Sequence, residues 1–339
     1  MQAAELRDWI KQGLFKGKRV VGVIPTEGLI AKHLQVESIP GLDVSLSALT
    51  MAAEQLDLPA DRIVHRCFEV ALVRTGGVLR KEVVSFCSPR KLVERLVASM
   101  QRVGLDLVGL HAAPVGLAKT FADLTNDSVL VVELGARQAS ATVLDDGRIS
   151  VVRFAPQGMD VIDHAIAASL GVSVDRARAA RERHGGLEAS GIASRLENPL
   201  PGGLVEITPA SGGVASSGAP VVSGAAAPVS GTDPKSLHAD QAVAEVVDEL
   251  CEELMIAVRY HRGVFPSKRV SRVVFTGGGA RCLDLCRRIA ERLGVAAQLG
   301  DPLAGAERLA GIDAVGVDLS EPTPAFSAAF GVRTCPVDL

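Results

Sequence analysis

Aromatic residues are scarce in this sequence. Phe, Trp and Tyr make up 3% of its 339 residues, with a single Trp and a single Tyr, and the formal net charge is only −3. Proteins that bind single-stranded nucleic acid stack bases on aromatic rings, and nucleic-acid-binding domains usually carry a basic surface. The composition therefore predicts no nucleic-acid partner.

Long apolar runs are also missing. No run approaches the roughly 20 residues that a helix needs to span a bilayer, and residues 1–6 are too polar for a signal peptide. We therefore expect a cytoplasmic protein that does not insert directly into a membrane. The chain is 47% hydrophobic, and its length suffices for two domains or for one large two-lobed domain.

Common catalytic and metal-binding motifs are absent as well. The sequence has no Walker-type phosphate loop, no G-x-G-x-x-G after a strand, no H-E-x-x-H and no G-x-S-x-G. None of the six cysteines forms a C-x-x-C pair. Cys282 and Cys286 lie one helical turn apart, but without a paired His or a second cysteine couple they fit buried packing better than metal ligation. The sequence thus predicts no metal site and no catalytic residue.

A glycine-rich stretch stands out at residues 276–280, Thr-Gly-Gly-Gly-Ala. An apolar β-branched run precedes it, and a stretch with one apolar face follows it. This order predicts a strand, a tight glycine turn and a helix. Glycines let a backbone approach a ligand closely, and a helix N-terminus offers free N–H groups to phosphate. A crossover that binds nothing explains the local pattern equally well.

Periodicity and turn residues place the other elements. In the first part of the chain we expect helices at 3–13, from an N-cap at Ser45 to Pro59, at 89–104 and at 114–124, and strands at 18–25, 28–36, 64–74, 79–87 and 105–111. Further on we expect strands around 128–134, 139–144, 148–154 and 295–299, and helices at 158–170, 173–185, 240–262 and 322–331. Consecutive hairpin strands followed by helices predict a mixed sheet. Residues 188–236 are dominated by Gly, Ala, Ser, Pro and Val, which predicts a disordered insertion.

Three stretches, in this order, resemble the actin-like ATPase superfamily and, within it, the PilM family of type IV pilus assembly proteins. Residues 131–136, Val-Val-Glu-Leu-Gly-Ala, are similar to the second phosphate loop, usually Asp-x-Gly-x-x-x-Thr. Residues 158–181 are similar to the Gly-Gly-Asp turn and the Glu-Ala-Glu-x-x-Lys element that flank the nucleoside. Residues 276–280 are similar to the adenosine loop. The likeness covers nearly the whole chain except 188–236.

The resemblance implies an α/β, two-lobed actin-like ATPase (ribonuclease H-like) fold with mixed sheets, a small inserted subdomain and an N-terminally truncated first lobe. The first lobe would span 1–127, with its core at 1–34 and 86–127 and the inserted subdomain at 35–85. The second lobe would span 128–330, including the insertion at 188–236, and residues 331–339 would form a tail.

The resemblance also implies a nucleotide site, with ATP and magnesium as the cofactors. Its candidate residues are Glu133, Gly135, Ala136, Gly158, Arg178, Arg181, Gly277, Gly278, Gly279 and Ala280. Three elements depart from the pattern. The first phosphate loop has no counterpart before Leu14, Glu133 replaces aspartate in the second loop, and the nucleoside element has Arg178 where a glutamate would bind ribose and Arg181 in place of lysine. Because a guanidinium cannot accept hydrogen bonds, we expect an eroded site, weak or absent ATP binding and no enzymatic activity. An upstream start codon would restore only the first of the three.

The leading functional hypothesis is a PilM-like scaffold of a type IV pilus or type II secretion-like inner-membrane platform. By resemblance, its partner is the N-terminal tail of a PilN-like inner-membrane protein, bound between residues 35–85 and the first lobe, so that the scaffold is peripheral to the membrane. Formation of a homo-oligomer stays open.

One alternative is an active ATPase that uses Glu133, Gly135 and residues 277–279. Another is an FtsA-like filament protein, whose basic C-terminal helix has no counterpart here. A sugar kinase fits least, since no aspartate can be assigned as its base.

Overall fold

The computed structural model of the chain describes residues 3–12, 17–124, 128–184, 204–207, 234–304 and 321–337. Its helices are α1 (Ala3–Gln12), α2 (Val44–Leu56), α3 (Arg90–Arg102), α4 (Ala113–Thr120), α5 (Met159–Leu170), α6 (Val174–His184), α7 (Pro234–Val264), α8 (Leu283–Leu293) and α9 (Ser327–Val332). Its strands are β1 (Arg19–Val23), β2 (Ile30–Glu37), β3 (Ile63–Thr75), β4 (Val78–Pro89), β5 (Asp106–His111), β6 (Ser128–Leu134), β7 (Ala139–Asp145), β8 (Arg148–Ala155), β9 (Leu204–Glu206), β10 (Val270–Thr276) and β11 (Ala296–Gly300). Within these ranges, no helix has both the length and the apolar character to cross a membrane.

The largest sheet has the strand order β8-β7-β6-β10-β11-β9. β6, β7 and β8 are antiparallel neighbours, whereas β10 runs parallel to both β6 and β11. Residues 129–132 of β6 and 273–276 of β10 are completely buried, because one face packs on α7 and α8 and the other on α4. The mixed sheet predicted from the sequence is confirmed, and this strand order is that of a ribonuclease H-like lobe.

Two smaller sheets build the first part of the chain. β1 and β5 pair in parallel, and β2, β4 and β3 form an antiparallel sheet in the order β2-β4-β3. One face of this second sheet packs on α2, which buries Ala48 and Ala52 completely. The predicted hairpin between β3 and β4 is confirmed: Gly76 and Gly77 form its two-residue turn with φ of +59° and +82°, a conformation that favours glycine.

Several local predictions differ from the structure. The helix predicted at 322–331 is a 3₁₀ turn, Pro324–Phe326, followed by the shorter α9. The N-cap of α2 is Asp43, not Ser45, because the Asp43 carboxylate accepts the Leu46 N–H at 3.0 Å, and aspartate caps as well as serine does. Inside the range predicted as a disordered insertion, β9 pairs antiparallel with β11 and Ile207 is buried. The first residues of α7, from Pro234, also fall in that range, and the rest of it lies outside the described residues.

The C-terminal helix α9 crosses α4 of the first lobe at very short range. A Cβ atom at Gly331 would lie 1.8 Å from the carbonyl oxygen of Gly116, and one at Gly116 would lie 2.3 Å from that of Ala328. The Thr120 hydroxyl donates to the Ser327 carbonyl in the same crossing. Two glycines therefore let the backbones of α4 and α9 come into contact. The helix α9 also continues through residue 330, where the sequence analysis placed the end of the second lobe.

A buried polar cluster anchors the end of α7 to the β7–β8 hairpin. His261 is 1% exposed, and its Nε2 lies 2.9 and 3.0 Å from the two carboxylate oxygens of Asp145. The Ser128 hydroxyl donates to the same carboxylate. Burial by itself would raise the pKa of Asp145, but these hydrogen bonds and the nearby Lys268 hold it below its usual value.

We expect Asp145→Asn to lower the free energy of unfolding by about 2 kcal/mol at neutral pH, because it removes the charge that His261 and Ser128 face. The folded-state pKa is depressed, so this stability is present above the ordinary carboxyl pKa of about 4 and is lost as the pH falls through the lower value. Urea unfolding at pH 7, 5 and 3 should show the variant and the wild type converging towards acid. Asp146→Asn is the control: Asp146 is an exposed turn residue with φ of +50°, and its ion pair with Lys268 at 3.2 Å is partly exposed, so the change should cost less than about 1 kcal/mol. A constant difference between Asp145→Asn and wild type across pH would contradict the assignment.

Candidate functional site

Glu133 is the next-to-last residue of β6 and lies directly opposite Ser140 on β7. The Ser140 hydroxyl donates to the Glu133 carboxylate at 3.4 Å. Burial raises the pKa of Glu133, and this single hydrogen bond only partly opposes the effect. Burial therefore works against the charged carboxylate, which is the form that binds a magnesium ion.

The turn after β6 is closed by the start of α5. The backbone N–H groups of Met159 and Asp160 donate to the carbonyls of Gly135 and Ala136, at 3.0 and 2.7 Å. A Cβ at Gly158 would lie 2.4 Å from the Ala136 carbonyl oxygen, so only glycine allows this approach. The N–H groups that a helix N-terminus could offer to a phosphate are thus bonded to the protein itself.

The glycine loop after β10 packs on the same region. Gly277 has φ of +82°, and a Cβ there would lie 2.6 Å from the Leu134 carbonyl oxygen. A Cβ at Gly279 would lie 2.5 Å from the sulfur of Met159, a side chain that is only 6% exposed. The helix that the sequence placed directly after the glycines begins later. A 3₁₀ turn, Gly278–Arg281, intervenes, and α8 starts at Leu283.

Arg178 and Arg181 of α6 bind carboxylates of α5. Arg181 holds both oxygens of Asp163, with N···O distances of 2.6 and 3.1 Å, and Arg178 reaches Asp163 and Asp160, each at 3.1 Å. The Asp163 side chain is fully buried and that of Arg181 is 12% exposed. Burial would raise the pKa of Asp163, but the bonds from Arg181 and Arg178 lower it below its usual value. Both arginines therefore have protein partners.

The structure brings most of the candidate residues together. The turn of Gly135 and Ala136, Gly158 and the 277–280 loop surround Leu134 and Met159, with Glu133 at the end of the adjoining strand. The sequence did not predict that Asp160 and Asp163 bind the two arginines, or that Met159 packs against the glycine loop. A signal was available, since Asp160 and Asp163 are three residues apart on one helix and Arg178 and Arg181 three apart on the next, which places each pair on one helix face.

These residues do not fit a nucleotide with magnesium. The backbone N–H groups of Met159, Asp160, Gly277 and Ala280 donate to carbonyls of the protein. A buried thioether lies against the glycine loop, and Asp163 binds both arginines. Among the described residues, no group of three His, Cys, Asp or Glu side chains is arranged to hold a metal ion. The nucleotide roles of the ten candidate residues thus remain a prediction that this geometry does not favour.

The ribonuclease H-like sheet, the joined lobes and the inserted β2-β4-β3 subdomain define a protein of the actin-like ATPase fold. Among solved structures, the chain is similar to a chain of the PilM–PilN type IV pilus biogenesis complex. The two share 17% sequence identity, with a TM-score of 0.70, over 99% of this chain and 85% of that one. The resemblance to PilM drawn from the sequence is thus confirmed at the level of the fold.

Other solved structures match more loosely. The ethanolamine utilization protein EutJ from Carboxydothermus hydrogenoformans is 15% identical over 72% of this chain and 60% of its own, with a TM-score of 0.39. MreB5 of Spiroplasma citri bound to AMPPNP is 12% identical over 72% and 63%, with a TM-score of 0.41. Scores this low add nothing to the argument. No family model and no curated protein sequence matches the chain.

Proposed function

We propose that this protein is a PilM-like scaffold of a type IV pilus or type II secretion-like inner-membrane platform. It acts from the cytoplasm, binds the N-terminal tail of a PilN-like membrane protein and works without nucleotide. The observation that carries the proposal is the fold match to the PilM–PilN complex over nearly the whole chain. The hydrogen bonds between the Gly135–Ala136 turn and α5, and the binding of both arginines by Asp163, favour a scaffold over an active ATPase of the same fold.

The first helix after the inserted subdomain offers a place for the tail. An open depression of about 580 Å³ on α3 is lined by Lys91, Glu94, Arg95 and Ala98. At the start of this helix Arg90 donates to the carbonyls of Asp61 and Ile63, at 2.6 and 3.5 Å. The depression therefore lies on the helix that is tied to the subdomain, and its two cations and one carboxylate suit a polar or acidic stretch of peptide.

The partner is tested with a peptide that spans the N-terminal cytoplasmic tail of a PilN-like protein encoded beside this chain's gene. We expect a complex by pull-down and by calorimetry, and about tenfold weaker binding for Arg95→Glu, because charge reversal at a contact typically costs 1.4 kcal/mol or more. Arg102→Glu, nearly two turns further along α3, is the matched control and should bind normally. Failure of the wild type to bind the peptide would count against the scaffold function. Equal binding by Arg95→Glu and wild type would reject only the depression on α3 as the binding site.

The nucleotide site is tested separately. We expect isothermal calorimetry with MgATP to give no binding tighter than about 1 mM, since the N–H groups at the start of α5 and both arginines already have protein partners. Phosphate release in the presence of MgATP should stay at the background rate. Micromolar affinity or steady phosphate release would favour the active ATPase instead.

A further inference from the structure

The subdomain formed by the β2-β4-β3 sheet, with α2, covers residues 30–89 and meets the second lobe through a small polar hub. Glu82 of β4 is completely buried, and the phenol of Tyr260 on α7 donates to its Oε1. His33 of β2 places Nδ1 3.7 Å from the same oxygen, and its ring lies 4.7 Å from that of Tyr260. On its other side, Nε2 of His33 lies 3.2 Å from both the backbone nitrogen and the carbonyl oxygen of Val152 on β8. The strands β2, β4 and β8 and the helix α7 therefore meet at the side chains of His33 and Glu82.

The hub is left incomplete in this arrangement. Among the described residues, neither Oε2 of Glu82 nor Nδ1 of His33 has a hydrogen-bond partner, although both atoms are buried. A buried polar atom without a partner costs about 1–3 kcal/mol, so native proteins keep few of them. Burial would raise the pKa of Glu82, but His33, Tyr260 and Gln35 face it and hold the pKa below its usual value. The carboxylate is thus a charged acceptor with unused capacity.

The chemistry of His33 fits a missing bond to Glu82. When the Val152 N–H donates to Nε2, the ring proton of neutral His33 resides on Nδ1 and is directed by the ring towards the carboxylate side. At 3.7 Å the pair is just outside hydrogen-bond distance. A displacement of less than about 1 Å would form a charge-assisted bond, which is stronger than one between neutral groups.

Space for that displacement lies beside the hub. A groove of about 490 Å³ lies between the subdomain and the second lobe. On the subdomain side it is lined by residues 29–33, and on the second lobe by residues 151–154, Ile256, Ala257 and Tyr260. Protein interiors are ordinarily close-packed, so a groove of this size gives the side chains of the junction room for a displacement of less than about 1 Å. The apolar contacts of the junction, such as Val84 and Phe86 with Val152, form a buried cluster that adjoins the groove, since Val152 also lines it.

We propose that the hub of His33, Glu82 and Tyr260 is a two-position joint between the inserted subdomain and the second lobe. In the position seen here the groove is open and Nδ1 of His33 lies 3.7 Å from Glu82, outside hydrogen-bond distance. In the second position the groove narrows and Nδ1–H of His33 donates to Glu82. The joint gives the subdomain two defined orientations, and any ligand that favours one of them would act through it.

The single tyrosine makes the joint observable. Tyr260 is the only Tyr in the chain, so the full-length protein labelled with [ε-¹³C]tyrosine gives the signal of one ring, which reports directly on the hub. We expect wild type to show a relaxation-dispersion contribution at Tyr260, the signature of exchange on the microsecond-to-millisecond timescale. Ile256→Trp should remove at least half of it, because Ile256 lines the groove and is 40% exposed, so that an indole blocks closure without disturbing a core.

Met255→Trp is the matched control, since Met255 neighbours Ile256 on α7, is 38% exposed and does not line the groove. It should keep the wild-type dispersion. Glu82→Gln should shift the Tyr260 signal and raise amide hydrogen exchange in residues 30–34 and 151–154 about tenfold or more, as expected for the loss of a charged acceptor. A flat dispersion profile in wild type from 10 to 40 °C, or equal profiles in the two Trp variants, would overturn the proposal.

Discussion

Asp163→Asn is expected to lower the free energy of unfolding by about 3 kcal/mol. Asp163 is fully buried and accepts both hydrogen bonds of Arg181, whose guanidinium is itself only 12% exposed. An amide can accept at one atom only, so Arg181 would remain as a buried charge without its counter-charge. Urea unfolding followed by far-ultraviolet circular dichroism measures the loss, and a smaller midpoint with an unchanged slope identifies it as a stability effect.

Asp160→Asn provides the control for this prediction. Its carboxylate is 35% exposed and has one bond, to the partly exposed Arg178, so its loss should cost less than about 1 kcal/mol. The double variant Asp163→Asn with Arg181→Met should recover part of the lost stability, because it removes the uncompensated cation. If Asp163→Asn unfolds at the wild-type midpoint, the pair is not the bond between α5 and α6 that the geometry indicates.

Gly331→Ala is expected to destabilise the protein by at least about 3 kcal/mol. The added methyl group would lie 1.8 Å from the Gly116 carbonyl oxygen, a backbone atom that cannot rotate away as a side chain can. Relief requires α9 to move off α4, which would separate the helices that join the two lobes. Thermal unfolding should show the loss, and limited proteolysis should cut the variant between the lobes before it cuts the wild type.

Gly263→Ala is the same substitution where the structure leaves room. Nothing lies within 4 Å of a Cβ at Gly263, near the end of α7, and alanine favours a helix over glycine by up to about 1 kcal/mol. This variant should therefore be unchanged or slightly more stable. Similar losses for the two variants would mean that helix propensity, not the close crossing of α4 and α9, decides the effect at Gly331.

The local sequence pattern was enough to predict most helices and strands. It was not enough to predict the contacts between segments that are distant in the sequence. The apolar run before the glycines became β10, and the Gly76-Gly77 turn became a hairpin, because both depend on neighbouring residues. β9 was missed because three residues in a Gly- and Ala-rich range carry no period, and its pairing with β11 is a tertiary effect.

The candidate site shows the same division. Resemblance to a family located the turn at Gly135, the start of α5 and the glycine loop, which the structure does bring together. It did not predict that Asp163 holds both arginines, since the family pattern directs attention to the ligand and not to the neighbouring helix. The hub of His33, Glu82 and Tyr260 could not be predicted at all, because its members lie up to 227 residues apart, from His33 to Tyr260, and none belongs to a motif.

The crossing of α4 and α9 also affects how the chain folds while it is being synthesised. The bond between Thr120 and Ser327 joins residues 207 positions apart, so at 5–20 residues per second a ribosome finishes α4 about 10–40 s before it finishes α9. During that interval the surface of α4 that α9 will cover, with Gly116 at its centre, has no partner from this crossing. Nascent chains stalled before residue 327 should accordingly bind a hydrophobic dye or a holding chaperone at α4, and completion of α9 should release it.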